Sequence, residues 1–329
     1  METLHSDCDG VRFHNLVPRR NGFRALLRWM LTRRRGPWHR QLDAQPGPRP
    51  PRNSDRLRFT FVNHSTFLLQ LNGINVLTDP IWSERAGPVS WAGPRRFRPP
   101  GIRFEDLPPI DFVLLSHDHY DHMDLPTLRR LHEEHGPTIY AGLNSAPLLR
   151  SHGIGNVVEL NWWQETTARR DLWITAVPAQ HFSARTPFDI QKRLWCGFVM
   201  QTEECCIYFA GDTANGPHFA QIAHRFRAVD LAILPIGAYR PEWFMGEVHL
   251  SPQDAVEAHL RLGARVSVAG HFGTFDLADD GQDEAVEVLL QVLRGRTLRG
   301  TEFRVLQFGE GCELAPRPKV QHERAEIAG

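Results

Sequence analysis

The sequence has no hydrophobic run long enough to cross a membrane, and it has little cysteine. No apolar segment among its 329 residues reaches the roughly 18 residues of a transmembrane helix, so none is predicted. The five cysteines are an odd number without a C-x-x-C spacing, and no signal peptide is predicted before them. This pattern predicts free thiols in a reducing compartment, and hence a cytoplasmic protein.

The charge is balanced in total but not along the chain. The formal net charge is zero, which gives no general attraction to nucleic acid. Residues 1–60, however, hold 13 arginines against five acidic residues. Within them, residues 24–35 predict a short basic amphipathic helix that either packs on the main domain or lies at a membrane surface. Residues 45–52 predict a proline-rich linker, so we assign residues 1–56 to a basic N-terminal segment.

An α/β pattern begins near residue 57. Three short runs rich in β-branched and aromatic residues lie between residues 57 and 78, with an Asn-Gly hairpin turn before the third. Strands and helices then alternate, which predicts one domain over residues 57–311, followed by a disordered tail at 312–329. Later predicted strands are residues 112–115, 138–141, 157–160, 172–177, 197–201, 205–210, 230–235, 265–269 and 302–308.

One short stretch carries four side chains that can bind a metal. It follows the buried strand predicted at residues 112–115. Its members, in the order His-x-His-x-Asp-His, are His117, His119, Asp121 and His122. Imidazole and carboxylate together suit zinc, and also iron or manganese. Because this cluster and its partners offer more ligands than one tetrahedral ion uses, we predict two metal ions rather than a solvated polar loop.

Four further polar residues occur beside apolar strands or helices downstream. His181, Asp212 and His271 each follow a predicted strand, and His249 precedes a helix. Strand ends in α/β sheets are where ligands usually bind. Each residue alone would more often be an ordinary surface or core side chain, but their order after the histidine-rich stretch favours a shared site.

This order of motifs resembles the metallo-β-lactamase superfamily. The resemblance implies a four-layer αββα sandwich with a dinuclear site at the edge of the sheets. Asp79, in Leu-Thr-Asp-Pro, matches an early strand-end aspartate and is expected to orient a ligand histidine. No cysteine stands in the second metal site, which disfavours β-lactam hydrolysis. The implied ligands are His117, His119 and His181 for one ion, Asp121, His122 and His271 for the other, and Asp212 as the bridge.

Within that superfamily, the chain resembles the N-acylphosphatidylethanolamine-hydrolysing phospholipase D family. The stretches that carry this resemblance include LTDPIWSERAGPVSWAGPRRFRPP, PIGAYRPEWFM, HLSPQDAVEAH and GHFGTF. It implies catalytic roles for Asp121 and for His249, beside two zinc ions that activate a bridging hydroxide for attack on a phosphodiester. The aromatic residues expected to line an acyl groove, with ordinary core packing as the alternative, are Trp163, Tyr239, Trp243 and Phe244.

Three other functions stay open at this point. The same metals would also serve a lactonase, or a phosphodiesterase for nucleotides or nucleic acid, although nucleic acid is disfavoured as a partner. A non-catalytic binding protein on an inherited scaffold is disfavoured by seven intact ligand candidates. A phospholipid or other phosphodiester substrate is therefore predicted, with peripheral membrane association through the basic segment and an oligomeric state that the sequence leaves open.

Overall fold

The fold is a sandwich of two seven-stranded sheets. The computed structural model describes residues 6–41, 43–226, 228–298 and 300–316. The strands are β1 Arg58–Asn63, β2 Thr66–Leu71, β3 Ile74–Thr78, β4 Phe112–Leu115, β5 Thr138–Gly142, β6 Val157–Leu160, β7 Glu165–Arg169, β8 Leu172–Val177, β9 Gly197–Gln201, β10 Cys206–Phe209, β11 Leu231–Pro235, β12 Val266–Gly270, β13 Glu302–Arg304 and β14 Gly311–Glu313.

Each sheet is antiparallel at one side and parallel at the other. The first has the order β14-β1-β2-β3-β4-β5-β6, and the second has the order β13-β12-β11-β10-β9-β8-β7. Strands β3 to β6 run parallel, as do β10 to β13. Parallel strands need crossover connections, and in the described residues these are mostly helical. Their carboxyl ends lie together at one edge of the sandwich.

Helices cover the outer face of both sheets, which confirms the four-layer sandwich. The central core joins side chains of both sheets, such as Phe59 and Phe198. The helices are α1 Phe23–Thr32, α2 Leu125–His135, α3 Ala146–Ser151, α4 His218–Arg225, α5 Glu242–Met245, α6 Pro252–Leu262 and α7 Glu284–Arg294. A second core packs sheet two against α4, α6 and α7, and a third packs sheet one against α2 and α3.

Helix α6, which follows one of the site loops, has well-defined ends. Ser251 accepts a hydrogen bond from the backbone of Asp254, whose side chain bonds back to the Ser251 backbone, and Pro252 occupies the first turn. Gly263 ends the helix with φ +60°, a left-handed conformation that glycine adopts without strain. The loop before the helix is therefore held at a fixed position.

The N-terminal segment packs along the sandwich over much of its length. We call residues 6–41 the N-terminal cover. Phe13 is buried in the central core, and Trp29 of α1 stacks on Phe244 at 5.2 Å between ring centroids. Arg33 forms ion pairs with Asp276 and Asp279. The interpretation of residues 24–35 as a helix that packs on the main domain thus agrees with these contacts.

The C-terminal part differs from its prediction in detail. Residues 302–308 were expected to form one strand, but β13 ends at Arg304. The chain then turns to add β14, three residues long, beside β1. The expected tail starts within this strand, at residue 312, and its residues 317–329 lie outside the described residues. In the parts of the chain that the structure describes, no helix has the length and apolar character needed to span a membrane.

Candidate metal centre and substrate cavity

The loops that follow five strands bring the candidate ligands to one edge of the sandwich. The loops after β3 and β4 come from sheet one, and those after β8, β10 and β12 come from sheet two. We call this set of buried loops, together with the β1–β2 turn, the metal floor. Ligand sites are expected at the carboxyl ends of parallel strands, and here two sheets contribute to one site.

Three histidines form the first group of the metal floor. The Nε2 atom of His117 lies 2.8 Å from Nδ1 of His119, and Nε2 of His181 lies 3.2 Å from the same atom. The Nδ1 atom of His181 donates to the carbonyl oxygen of Val248 at 2.7 Å, which leaves its Nε2 free as a ligand. These three ring nitrogens lie within 4.8 Å of one another, as a shared ion requires.

A carboxylate and three histidines form the second group. The Oδ2 atom of Asp121 lies 3.3 Å from Nε2 of His122 and 3.5 Å from Nε2 of His271. His64 adds its Nε2 at 2.9 Å from the same oxygen. This group contains the three ligands expected for the second ion and one histidine that was not expected.

Asp212 lies between the two groups. Its Oδ2 atom is 3.1 Å from Nε2 of His122 and 3.0 Å from Nε2 of His271. The same oxygen is 3.9 Å from Nε2 of His117 and 3.8 Å from Nε2 of His181. The carboxylate thus faces ligands of both groups, which is the placement that the predicted bridging role requires.

Asp79 is fully buried and is connected to a histidine of each group. Its Oδ2 accepts from Nδ1 of His122 at 2.6 Å, and its Oδ1 accepts from the backbone N–H of Ser116 at 2.7 Å. The Ser116 hydroxyl in turn lies 2.9 Å from Nδ1 of His117. Asp79 thus contacts one candidate ligand histidine directly and another through Ser116, which is the arrangement expected of a residue that orients ligands.

The two groups differ in their electrostatics. Burial, followed by the neighbouring His122 and His119, holds the pKa of His117 well below its usual range. Burial also acts on His271, but the neighbouring Asp212 and Asp121 carboxylates outweigh it and raise the pKa of His271 to about 9. The carboxylates likewise raise the pKa of His122 against the effect of burial. The second group therefore attracts positive charge more strongly than the first.

The buried donor atoms of the metal floor fit bound metal ions. The Nε2 atoms of His122 and His271 and the Oδ1 atom of Asp212 are buried without a hydrogen-bond partner in the described part of the chain. Buried polar atoms are rarely left without a partner, so these atoms fit the role of ligands to a cation. Imidazole with carboxylate is the donor set of zinc sites and of non-haem iron sites.

A cavity of about 920 Å³ opens beside this centre. His119 and His249 lie on its wall, and Nδ1 of His249 is 3.8 Å from Oδ2 of Asp212. Burial lowers the pKa of His249 to about 4, although Asp212 partly opposes this shift. The rest of the wall is mostly apolar and includes Phe23 and Leu26 from the N-terminal cover. His249 is thus a neutral imidazole at pH 7 between the metal floor and an apolar cavity.

Of the four aromatic residues predicted to bind substrate, Phe244 lines this cavity and the other three lie elsewhere. Trp243 lies outside, 41% exposed, with the Arg28 guanidinium 4.5 Å above its ring. Tyr239 is 1% exposed and packs in the core between sheet two and its helices. Trp163 packs at the rim of two cores. For Tyr239 and Trp163, the structure thus places the ring in ordinary packing, the alternative considered from the sequence.

His64 is the site residue that sequence reasoning missed. It lies in the tight β1–β2 turn with φ +47°, and its backbone carbonyl accepts from the N–H of His271 at 2.7 Å. Its ring centroid is 4.1 Å from that of His271. The signal available was weak: one histidine between two strands, with no second metal-binding residue nearby in the sequence.

Comparisons with known proteins agree with this geometry. Residues 74–272 match the beta-lactamase superfamily domain. Over 271 residues, the chain is 36% identical to N-acyl-phosphatidylethanolamine-hydrolyzing phospholipase D 1 of Caenorhabditis elegans, covering 78% of this chain and 76% of that protein. It is 33% identical over 227 residues to the mitochondrial enzyme of that name from Saccharomyces cerevisiae, covering 67% of this chain and 48% of the yeast protein.

A solved structure gives the same result for the fold. The isothiocyanate hydrolase from Delia radicum gut bacteria aligns with a TM-score of 0.63 and 24% identity, over 78% of this chain and 99% of its own. At this identity the likeness supports the fold alone. The chain spans about three quarters of the worm relative and about half of the yeast relative, so the substrates of those proteins do not transfer directly.

Proposed function

The chain belongs to the metallo-β-lactamase superfamily of metal-dependent hydrolases, and we propose that it is a phosphodiesterase of phospholipase D type. The proposed reaction releases N-acylethanolamine from N-acylphosphatidylethanolamine. The observation that carries the proposal is the apolar cavity of about 920 Å³ beside the metal floor. Its size lies at the upper end of the range for small-molecule sites and suits a long-chain substrate.

The metal floor supplies the chemistry in this proposal. His117, His119 and His181 would hold one ion, Asp121, His122 and His271 the other, and Asp212 both. When bound, such ions lower the pKa of a coordinated water and neutralise charge that develops on a phosphate. Zinc is the metal proposed, with iron or manganese as alternatives. Asp121, which the sequence suggested as catalytic, would act in this arrangement by holding an ion, and His64 would orient Asp121.

His249 acts on the substrate from the cavity side. Because the pKa of His249 is lowered to about 4 by burial, its ring is neutral at pH 7 and is a poor proton donor. The neutral ring still carries one N–H, which can donate a hydrogen bond to a phosphate oxygen. We therefore propose that His249 orients the phosphodiester rather than protonating the leaving group.

The N-terminal cover gives a route from a membrane to the cavity. Phe23, Met30 and Leu31 of α1 are 72%, 61% and 85% exposed, and arginines lie on the same helix. Exposed apolar side chains beside basic residues favour an anionic lipid surface, where each basic residue adds about 1 kcal/mol. This arrangement supports peripheral membrane association, which increasing salt would weaken.

The substrate proposal is tested by turnover in mixed micelles. We expect the metal-loaded protein to release N-acylethanolamine from N-acylphosphatidylethanolamine, with a rate that falls as salt rises. A homoserine lactone and bis(p-nitrophenyl) phosphate are the comparison substrates. Rapid lactone hydrolysis without cleavage of the phospholipid would contradict the phosphodiesterase and retain only the metal-dependent hydrolase.

The number of ions is tested separately. The two ligand groups predict that elemental analysis of purified protein approaches two metals per chain. Full activity with one tightly bound metal per chain would contradict the dinuclear arrangement. Replacement with zinc, iron or manganese after chelation, followed by turnover, identifies the metal that the site uses.

A further inference from the structure

Arg19 of the N-terminal cover is a charged residue on the wall of an otherwise largely apolar cavity. Its guanidinium carbon lies 4.3 Å above the ring centroid of Phe182. The same ring is 4.5 Å from that of His119 and 5.0 Å from that of His181. One aromatic ring therefore separates the arginine from two candidate metal ligands.

The charge of Arg19 is poorly compensated within the protein. Its Nε atom is buried and meets no hydrogen-bond partner among the residues that the structure describes. Burial lowers the pKa of Arg19, and the charge of the Glu247 carboxylate only partly opposes this shift. A buried guanidinium nitrogen without a hydrogen-bond partner is costly, which indicates a place for an anion that arrives with a ligand.

The backbone on both sides of Arg19 is held in place. Asn15 exchanges two hydrogen bonds with the backbone of His181, and Val17 exchanges two with the side chain of Gln180. The backbone N–H groups of Arg20 and Asn21, on the other side, donate to the Glu247 carboxylate. The guanidinium is therefore presented to the cavity by an anchored segment, which lowers the entropy cost of binding.

Few other charges face this cavity. The described lining residues include one acidic side chain, Asp7, and the histidines His14, His119 and His249. His14 is already paired with Asp9 at 3.2 Å. The permanent positive charge on this wall is thus that of Arg19.

We infer that Arg19 is the anion-binding residue of the cavity and takes an acidic oxygen, of a phosphate or a carboxylate, that the metal floor leaves free. The inference rests on the proposed function and specifies its substrate class as acidic amphiphiles. This oxygen belongs either to the scissile phosphodiester itself or to a second acid group on the same lipid headgroup. Arginine suits both, because its fork of N–H donors matches carboxylate and phosphate geometry.

The test compares two lipids that differ by one carboxylate, N-acylphosphatidylethanolamine and N-acylphosphatidylserine, in the same micelles. Arg19→Gln should raise KM by about 10- to 100-fold with little change in kcat, as expected for loss of a charge-assisted hydrogen bond. An equal increase for both lipids identifies the scissile phosphate as the partner. A larger increase for the serine lipid identifies the second acid group. Arg19→Lys should restore part of the affinity.

Arg20→Gln is the matched control, because it removes the same charge from an exposed neighbouring side chain. KM values for Arg19→Gln that equal those of Arg20→Gln for both lipids would overturn the inference. The thermal midpoint of Arg19→Gln should change little, because the variant loses the contact with the Phe182 ring but also removes a buried Nε that has no hydrogen-bond partner.

A binding measurement separates this inference from the proposed reaction. Lauryl phosphate titrated into chelated, metal-free protein should bind about tenfold more weakly to Arg19→Gln than to the wild type. If the wild type cleaves neither lipid but this difference is present, the proposed reaction fails and the anion site stands. Equal affinities of both proteins for lauryl phosphate would overturn the anion site, whatever the lipids show.

Discussion

The metal floor and the N-terminal cover meet at one cavity but are built differently. The floor consists of buried loops at strand ends, where His122 and His181 are fully buried and each ring donates a hydrogen bond, to Asp79 and to the Val248 carbonyl respectively. The cover is half exposed and is held by polar anchors such as Asn15. The sandwich thus fixes the chemistry, whereas the cover shapes the entrance to it. Substitutions in the floor should change turnover, and substitutions in the cover should change affinity.

The largest effect is expected at Asp212. Asp212→Asn should reduce kcat by about three orders of magnitude or more, because a neutral amide is a poor bridge between two cations. Circular dichroism should show that the fold persists. Asp279→Asn, which removes a carboxylate that pairs with Arg33 of the cover, is the control and should stay within a few-fold of wild type. Near-normal turnover of Asp212→Asn would mean that Asp212 does not bridge.

The next effect concerns His249, where the floor meets the cavity. His249→Ala should keep the metal content but lose about 100-fold or more in kcat, in the range of a lost electrostatic or hydrogen-bonding group. His249→Asn keeps an N–H donor and should therefore retain more activity than His249→Ala. If the two variants are equally inactive, a hydrogen-bonding role is excluded. Loss of metal in step with activity would instead make His249 a ligand.

A smaller effect within the floor is expected at His64. Because its Nε2 lies 2.9 Å from Oδ2 of Asp121, His64→Phe should leave that carboxylate less well oriented. The affinity for one of the two metals should fall by about 10- to 100-fold, while the other stays bound. Metal titration with a competing chelator measures both affinities. Unchanged affinity for both ions would assign His64 to packing alone.

The smallest effect is expected at the cover anchor Asn15. Asn15→Ala removes hydrogen bonds to the backbone of His181 and to Nε1 of Trp195, and should cost about 1–2 kcal/mol of stability. Hydrogen exchange should increase in residues 6–22 more than in the sheets. KM should rise severalfold while kcat changes little. A fall in kcat as large as the rise in KM would show that the cover also affects the geometry of the metal floor.

The same contrast explains what the sequence could predict. The floor could be predicted from the sequence because four of its candidate ligands lie within six consecutive positions, from His117 to His122, and the others follow apolar strands. Most strands could also be predicted from the sequence. For example, the strands predicted at residues 66–71 and 74–78 coincide with β2 and β3. The short pairing of β14 with β1 could not be predicted, because three residues at the edge of a sheet show no periodic pattern in the sequence.

The contacts of the cover and of His64 could not be predicted from the sequence, for a different reason. Asn15 and Arg19 make their contacts with residues 160 or more positions away, through single polar groups that carry no local signal. His64 likewise reaches Asp121 across 57 positions. Partners of this kind become visible only when the two sheets are folded together. Tyr239 and Trp163 show the converse, since an aromatic residue in the sequence does not reveal whether its ring faces a core or a cavity.

The cover also sets an order for the completion of the protein during synthesis. Asn15 pairs with His181, and Trp29 donates to Asp279, so these contacts join residues 166 and 250 positions apart. Neither contact can form until the later residue of the pair has emerged from the ribosome. The first metal-binding motif, at His117 to His122, emerges much earlier. The contact of Trp29 with Asp279 therefore forms only after the last loop of the floor, at His271, has been made, so this early segment is among the last to reach its place.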